Sequence, residues 1–182
     1  MPRKAPHETR ERIQLATIAL IDEKGIVALT IEEVARRAGV SKGGLLHHFP
    51  TKEALLQGLV ARLAASWQAL LDRELAREEE GMPGRVARAY IGATFARDAD
   101  AERLTRAIAQ VVATYPALVE AEFNPFTIEN PLTGRDGLPP GRALAIRTAC
   151  DGVSFGEFVG MPLITEDERA ELRAELERLT HQ

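Results

Sequence analysis

The sequence predicts an all-α fold of about nine helices, and three observations carry that reading. Apolar residues recur at helical spacing along every long segment. Helix start and stop signals divide the chain into pieces of ordinary helix length. No segment of useful length alternates apolar and polar residues as a half-buried strand does, and there is no internal repeat. With 45% hydrophobic residues among 182 the chain can bury a sizeable core, and 27% charged residues keep its surface solvated.

The first helix runs from Glu8 to Lys24, with Ile13, Ala16 and Leu20 on one side and Gly25 just past its end. Thr30-Ile31-Glu32-Glu33 is a capping-box pattern that opens a short helix, which Gly39 stops after Ala38. Ser41 caps the next helix, and Pro50 halts it after His48 or Phe49. Thr51 then caps a long helix to about Glu79, in which only Gly58 interrupts. Pro83 is a good first-turn residue for a helix to about Arg97. Asp100 caps one that reaches Ala113, and Pro116 starts a shorter one to about Phe123. Four prolines and three glycines between Phe123 and Gly141 make that stretch a loop. Helix resumes from Gly141 to Val159, Pro162 follows, and the capping box Thr165-Glu166-Asp167-Glu168 opens a last helix to Leu179.

Several function classes fall away on composition. The longest charge-free stretch, Ala107 to Val119, has 13 residues and contains Pro116, too short for a membrane span of about 18 or more. The N-terminus is basic at Arg3 and Lys4 with no apolar run behind it, so a cytoplasmic protein with no membrane partner is expected. A single cysteine, Cys150, excludes an internal disulfide and a cysteine-rich zinc site. There is no phosphate loop, no paired-histidine metalloprotease motif and no serine elbow, so the chain is read as a non-enzyme without a cofactor. His47 and His48 are adjacent and point about 100° apart on a helix, a poor metal pair, and no metal is expected.

Charge is unevenly placed. The net charge is −4, yet residues 1–60 carry 9 Lys/Arg against 7 Asp/Glu and all four lysines, Lys4, Lys24, Lys42 and Lys52. Within that block, Thr30 to Lys52 reads as two short helices joined by a tight turn at Gly39, with Val34, Val40 and Leu45 as their small core. That is a helix-turn-helix, whose second helix, Ser41 to His48, can enter the DNA major groove. Glycines let a backbone approach closely, and Gly43 and Gly44 each cost a short helix about 1 kcal/mol against alanine. Packing between two helices is the plainer use for such glycines.

Residues 10–56 resemble the DNA-binding domain of TetR/AcrR-type transcriptional regulators. The resemblance rests on Gly25, Leu29-Thr30-Ile31, Val34-Ala35 through Ala38-Gly39-Val40-Ser41, and His48-Phe49-Pro50-Thr51-Lys52-Glu53-Ala54-Leu55. It implies a DNA-binding domain over residues 1–54 and an effector-binding and dimerisation domain over 55–182. It also implies a homodimer that represses from a palindromic double-stranded operator and is released by a small effector. Thr30, Ser41, Lys52 and His48 are then expected at phosphates, with Lys42, Gly43, Gly44, Leu46 and His47 facing base edges. Leu46 departs from the family, which most often has an aromatic there, and can offer only an apolar contact such as to a thymine methyl. A helical protein-binding adaptor without DNA binding is the other class this departure leaves open.

In the body, Trp67, Tyr90, Phe95, Ile108, Val112, Tyr115, Leu118 and Phe123 are candidate lining residues for a mostly apolar effector, and each could equally fill core. Ile146, Cys150, Val153 and Phe158 on one late helix, and Leu172, Leu176 and Leu179 on the last, are candidates for the dimer interface. The same leucines could pack only inside one protomer.

Overall fold

The structure, a computed structural model, describes residues 6–96, 99–120, 136–161 and 163–181. Among them are nine helices and no strand: α1 (Pro6–Lys24), α2 (Ile31–Ala38), α3 (Lys42–His48), α4 (Lys52–Leu75), α5 (Arg85–Phe95), α6 (Ala99–Thr114), α7 (Ala117–Glu120), α8 (Pro140–Phe158) and α9 (Glu166–Leu179). The fold is all-α, with α7 a single turn. The chain divides into two compact units. One holds α1–α3, the first half of α4, α6 and α7; the other holds the end of α4 with α5, α8 and α9.

In the first unit, α1 buries Ile13, Ile18, Leu20 and Ile21. It stops at Gly25, whose φ of 77° only glycine adopts without strain. Gly39, at φ 65°, makes the turn between α2 and α3, with Val40 N–H donating back to the Ala35 carbonyl. Val34 and Leu45 are fully buried around this turn, and Val40 is half-buried. Phe49 closes the cluster. Thr51 caps α4 by accepting from Ala54 N–H at 3.0 Å. By length and composition α4 is apolar enough to cross a membrane; Leu55, Leu56, Leu59 and Val60 near its start are buried, and Leu63, Trp67, Leu70, Leu71 and Leu75 beyond them are half-buried.

α6 belongs to the same unit. Its Gln110 Oε1 accepts from Ile26 N–H at 3.1 Å, in the segment between α1 and α2. Asp22 on α1 faces Arg103 and Arg106 at 3.9 and 3.7 Å.

The second unit has its core between α5, α8 and α9, where Ala87, Ile91 and Phe95 meet Ala143, Ile146, Cys150, Val153 and Leu176. Arg169, buried on α9, ties the three helices together. It pairs with Glu157, donates to the Thr94 carbonyl at 3.2 Å and lies over the Phe95 ring.

Several element boundaries differ from the sequence reading, α1 for one beginning at Pro6 rather than Glu8. α4 ends at Leu75 rather than near Glu79, where the Arg85 guanidinium donates to the Leu75 and Glu78 carbonyls. α5 starts at Arg85, so Pro83 lies outside it. Its N-terminal Val86 and Ala87 N–H groups donate to the buried Asp136 carboxylate at 2.7 and 2.8 Å. Asp100 sits inside the first turn of α6 rather than capping it. α8 begins at Pro140, in the position that suits a proline's missing N–H. The short helix expected to run to Phe123 is described only as far as Glu120. Most of the expected loop after it, and Pro162, fall outside the described residues.

Candidate nucleic-acid interface

The helix-turn-helix is built by α2 and α3. Thr30 caps α2, its Oγ1 accepting from Glu33 N–H, and Ser41 caps α3 by accepting from Gly44 N–H at 3.0 Å. Both residues are exposed, and capping leaves each hydroxyl proton available to donate. A Cβ on Gly43 would meet nothing within 4 Å, so packing does not require glycine there and the backbone stands open. A Cβ on Gly44 would approach Ser41 Oγ at 3.1 Å, so that glycine serves the cap. His47 is exposed, Leu46 and His48 are half-buried, and the two imidazoles meet edge to face at 5.5 Å. Ser41, Lys42, Gly43 and His47 thus share the exposed part of α3 and its cap.

The cations of this unit are extensively partnered within the chain. Lys42 Nζ lies 2.7 Å from Glu32 Oε1. Arg37 grips Glu23 through both terminal nitrogens, and Lys24 pairs with Glu33. The Lys42 hydrogen bond, with help from the residue's own backbone N–H, holds the Glu32 carboxyl below the ordinary carboxylate range. The Arg37 hydrogen bond does the same for Glu23. Lys52 is half-buried, with Nζ 3.5 Å from the Ile26 carbonyl and 5.8 Å from the centre of the Tyr115 ring. Arg10 donates to the His48 carbonyl at the end of α3 and stacks over Phe49 at 4.2 Å. Sequence reasoning missed Arg10 and the carboxylate partners, because pairings across helices leave no local signature.

The candidate effector residues fall in both units. In the second, Trp67 and Tyr90 meet edge to face at 5.5 Å, and Tyr90 OH donates to Asp151 Oδ1 at 2.5 Å. Arg147 Nε lies 3.2 Å from the other oxygen. Burial, then the Asp151 contact, raise the Tyr90 phenol far above its ordinary range. Phe95 is packed in the core. In the first unit Ile108 is buried, while Val112, Tyr115 and Leu118 are half-buried. Phe123 lies outside the described residues. Two open clefts of about 260 and 350 Å³ lie beside α1 in the first unit, and neither is lined by these residues.

Four of the seven dimer candidates, Ile146, Cys150, Val153 and Leu176, are buried in the core of the second unit. Phe158, Leu172 and Leu179 are half-buried. α8 instead exposes Leu144 and Phe155, with Val159 just past its end. Burial pushes the Cys150 thiol up to about 11, against a hydrogen bond with Thr94 and in the same direction as the nearby Asp151 charge. Among the described residues no group of three or more His, Cys, Asp or Glu side chains could hold a metal ion.

Comparison with known proteins agrees with this architecture. Residues 13–59 match the profile described as bacterial regulatory proteins, tetR family, and residues 84–181 match tetracyclin repressor-like, C-terminal domain. HTH-type transcriptional regulator BetI 2 of Chromohalobacter salexigens is 31% identical over 96 residues, which are 53% of this chain and 44% of that protein. The chain spans about half the length, or less, of the curated relatives it matches. A transcriptional regulator from Rhodococcus sp. Rha1 superposes with a TM-score of 0.65 at 27% identity, covering 93% of this chain and 95% of the other. The multidrug binding protein EbrR, complexed with malachite green, superposes with a TM-score of 0.54 at 25% identity over 100% of both chains.

Proposed function

From the premise that the chain belongs to the tetR family of bacterial regulatory proteins, we propose that it represses from a palindromic operator as a homodimer and releases it when a small, mostly apolar effector binds. It is a DNA-binding transcriptional regulator, not an enzyme. In this reading residues 1–54 meet the DNA and residues 55–182 bind the effector and the second copy, in the cytoplasm. The observation that carries it is the exposed start of α3, where the Ser41 hydroxyl, Lys42 and the open backbone of Gly43 stand together. Thr30, Gly44, Leu46, His47, His48 and Lys52 complete the proposed contact surface. Lys52 spends one of its three N–H donors on the Ile26 carbonyl and keeps the others for phosphate.

The effector reading draws support from the Trp67–Tyr90 pair, an aromatic surface with a hydrogen-bonded hydroxyl, and from the dye bound by EbrR. The dimer reading draws on the apolar side chains that α8 leaves uncovered. Selection of bound duplexes from random DNA tests the proposal. The expected result is a palindrome with half-sites about one helical turn apart, bound with an affinity that falls steeply with salt. Once a ligand that raises the melting temperature is found, it should lower operator affinity by about 5- to 150-fold and change Trp67 fluorescence. A ligand that saturates the protein without changing operator affinity sinks the release step and leaves DNA binding intact.

A further inference from the structure

Lys42 is the sole lysine or arginine of α3, and it stands at the first position of that helix. A free ammonium there would add to the affinity for any duplex, because phosphate is the same in every sequence. The ammonium is not free. Glu32, in the first turn of α2, holds it at 2.7 Å, and both side chains are more than half exposed, at 59% and 63%. A carboxylate so placed neutralises the cation and also repels an approaching phosphate.

We propose that Glu32 is a specificity-determining residue of this regulator, competing with DNA phosphate for the Lys42 ammonium so that a matched operator engages Lys42 and an arbitrary duplex does not. The exposure of the pair sets its strength. Exposed ion pairs hold by no more than about 5-fold, so well-placed acceptors on an operator can open this one. A matched operator presents base-edge acceptors, such as guanine O6 and N7, to Lys42 in addition to phosphate, whereas an arbitrary duplex offers only the phosphate that every sequence shares. The cost of Glu32 therefore falls on non-specific binding, and the ratio of the two affinities rises. The inference rests on Lys42 being a DNA contact, as proposed above.

The test uses the full chain with Glu32→Gln, Lys42→Met and the double variant, on the selected operator and on a mixed-sequence duplex of equal length. Circular dichroism melts confirm that each variant folds. Glu32→Gln should bind the mixed-sequence duplex more tightly and steepen its salt slope by about one unit, equivalent to a 3- to 4-fold greater loss of affinity between about 50 and 200 mM salt. The operator should gain less, so the specificity ratio narrows. In the Lys42→Met background the added slope should disappear. An unchanged slope and ratio for Glu32→Gln would overturn the role assigned to Glu32. So would an effect that persists in full without Lys42, since that is charge removal alone. Lys42→Met that binds both duplexes as wild type overturns the DNA contact itself, and the two failures are thereby distinct.

Discussion

A Cβ placed on Gly58 would lie 2.7 Å from Cε1 of Phe49, closer than real Cβ atoms come to any neighbour. Phe49 is buried under α3 and cannot swing away, so the backbone of α4 would have to shift. Gly58→Ala should therefore lower stability by about 1–3 kcal/mol despite alanine's better helix propensity, as read from urea unfolding. The sequence shows Gly58 only as an interruption of a long helix, because the ring it accommodates is set by tertiary packing. Cys150 gives a second residue-scale test. Its thiol is buried and pushed up to about 11, while an unfolded chain releases that proton near about pH 8.5. Between those values the folded form keeps a proton that the unfolded form has lost, so stability falls as pH rises through the window. Wild type should lose more stability there than Cys150→Ala, and a thiol reagent at neutral pH should label Cys150 only as the chain unfolds.

At the scale of elements, α5 has no cap of its own. Gly84 precedes it in the left-handed conformation, and the Asp136 carboxylate covers two of its open N–H groups from 50 residues away in sequence. Asp136→Ala should cost about 1–3 kcal/mol, since it leaves buried donors unsatisfied, and Asp136→Asn should recover part of it. Differential scanning calorimetry of the two variants checks the order. This cap also explains what the sequence could and could not show. The ends marked by Gly25, Gly39, Thr51 and Thr165 were legible because each signal lies within a few residues of the helix it bounds. The start of α5 and the end of α4 were not, because Asp136 and Arg85 reach them from other segments. The helix-turn-helix was legible for the same reason of locality, and the Glu32–Lys42 pair was not. On α8 the periodicity marked apolar residues without saying which side turns inward. Ile146, Cys150 and Val153 go to the core, while Leu144 and Phe155 stay outside.

For the whole molecule, that outward side carries the proposed association with a second copy. Phe155 is 61% exposed on that side of α8. Phe155→Glu should yield folded monomers, because desolvating a carboxylate at an apolar contact costs several kcal/mol. Sedimentation that shows the same oligomer as wild type would move the interface elsewhere. The two units are each assembled from separated stretches of chain, and this has a consequence for synthesis. The described part of the first ends with α6 and α7, whereas Ala87, Ile91 and Phe95 of α5 find their buried core partners on α8 and α9. Leu176 is added 89 residues after Ala87 (176 minus 87), which at about 5–20 residues per second takes roughly 4–18 s. A nascent chain thus has its first unit ready to fold while Ala87, Ile91 and Phe95 still lack their core partners on α8 and α9, and that interval is when a chaperone has apolar surface to hold.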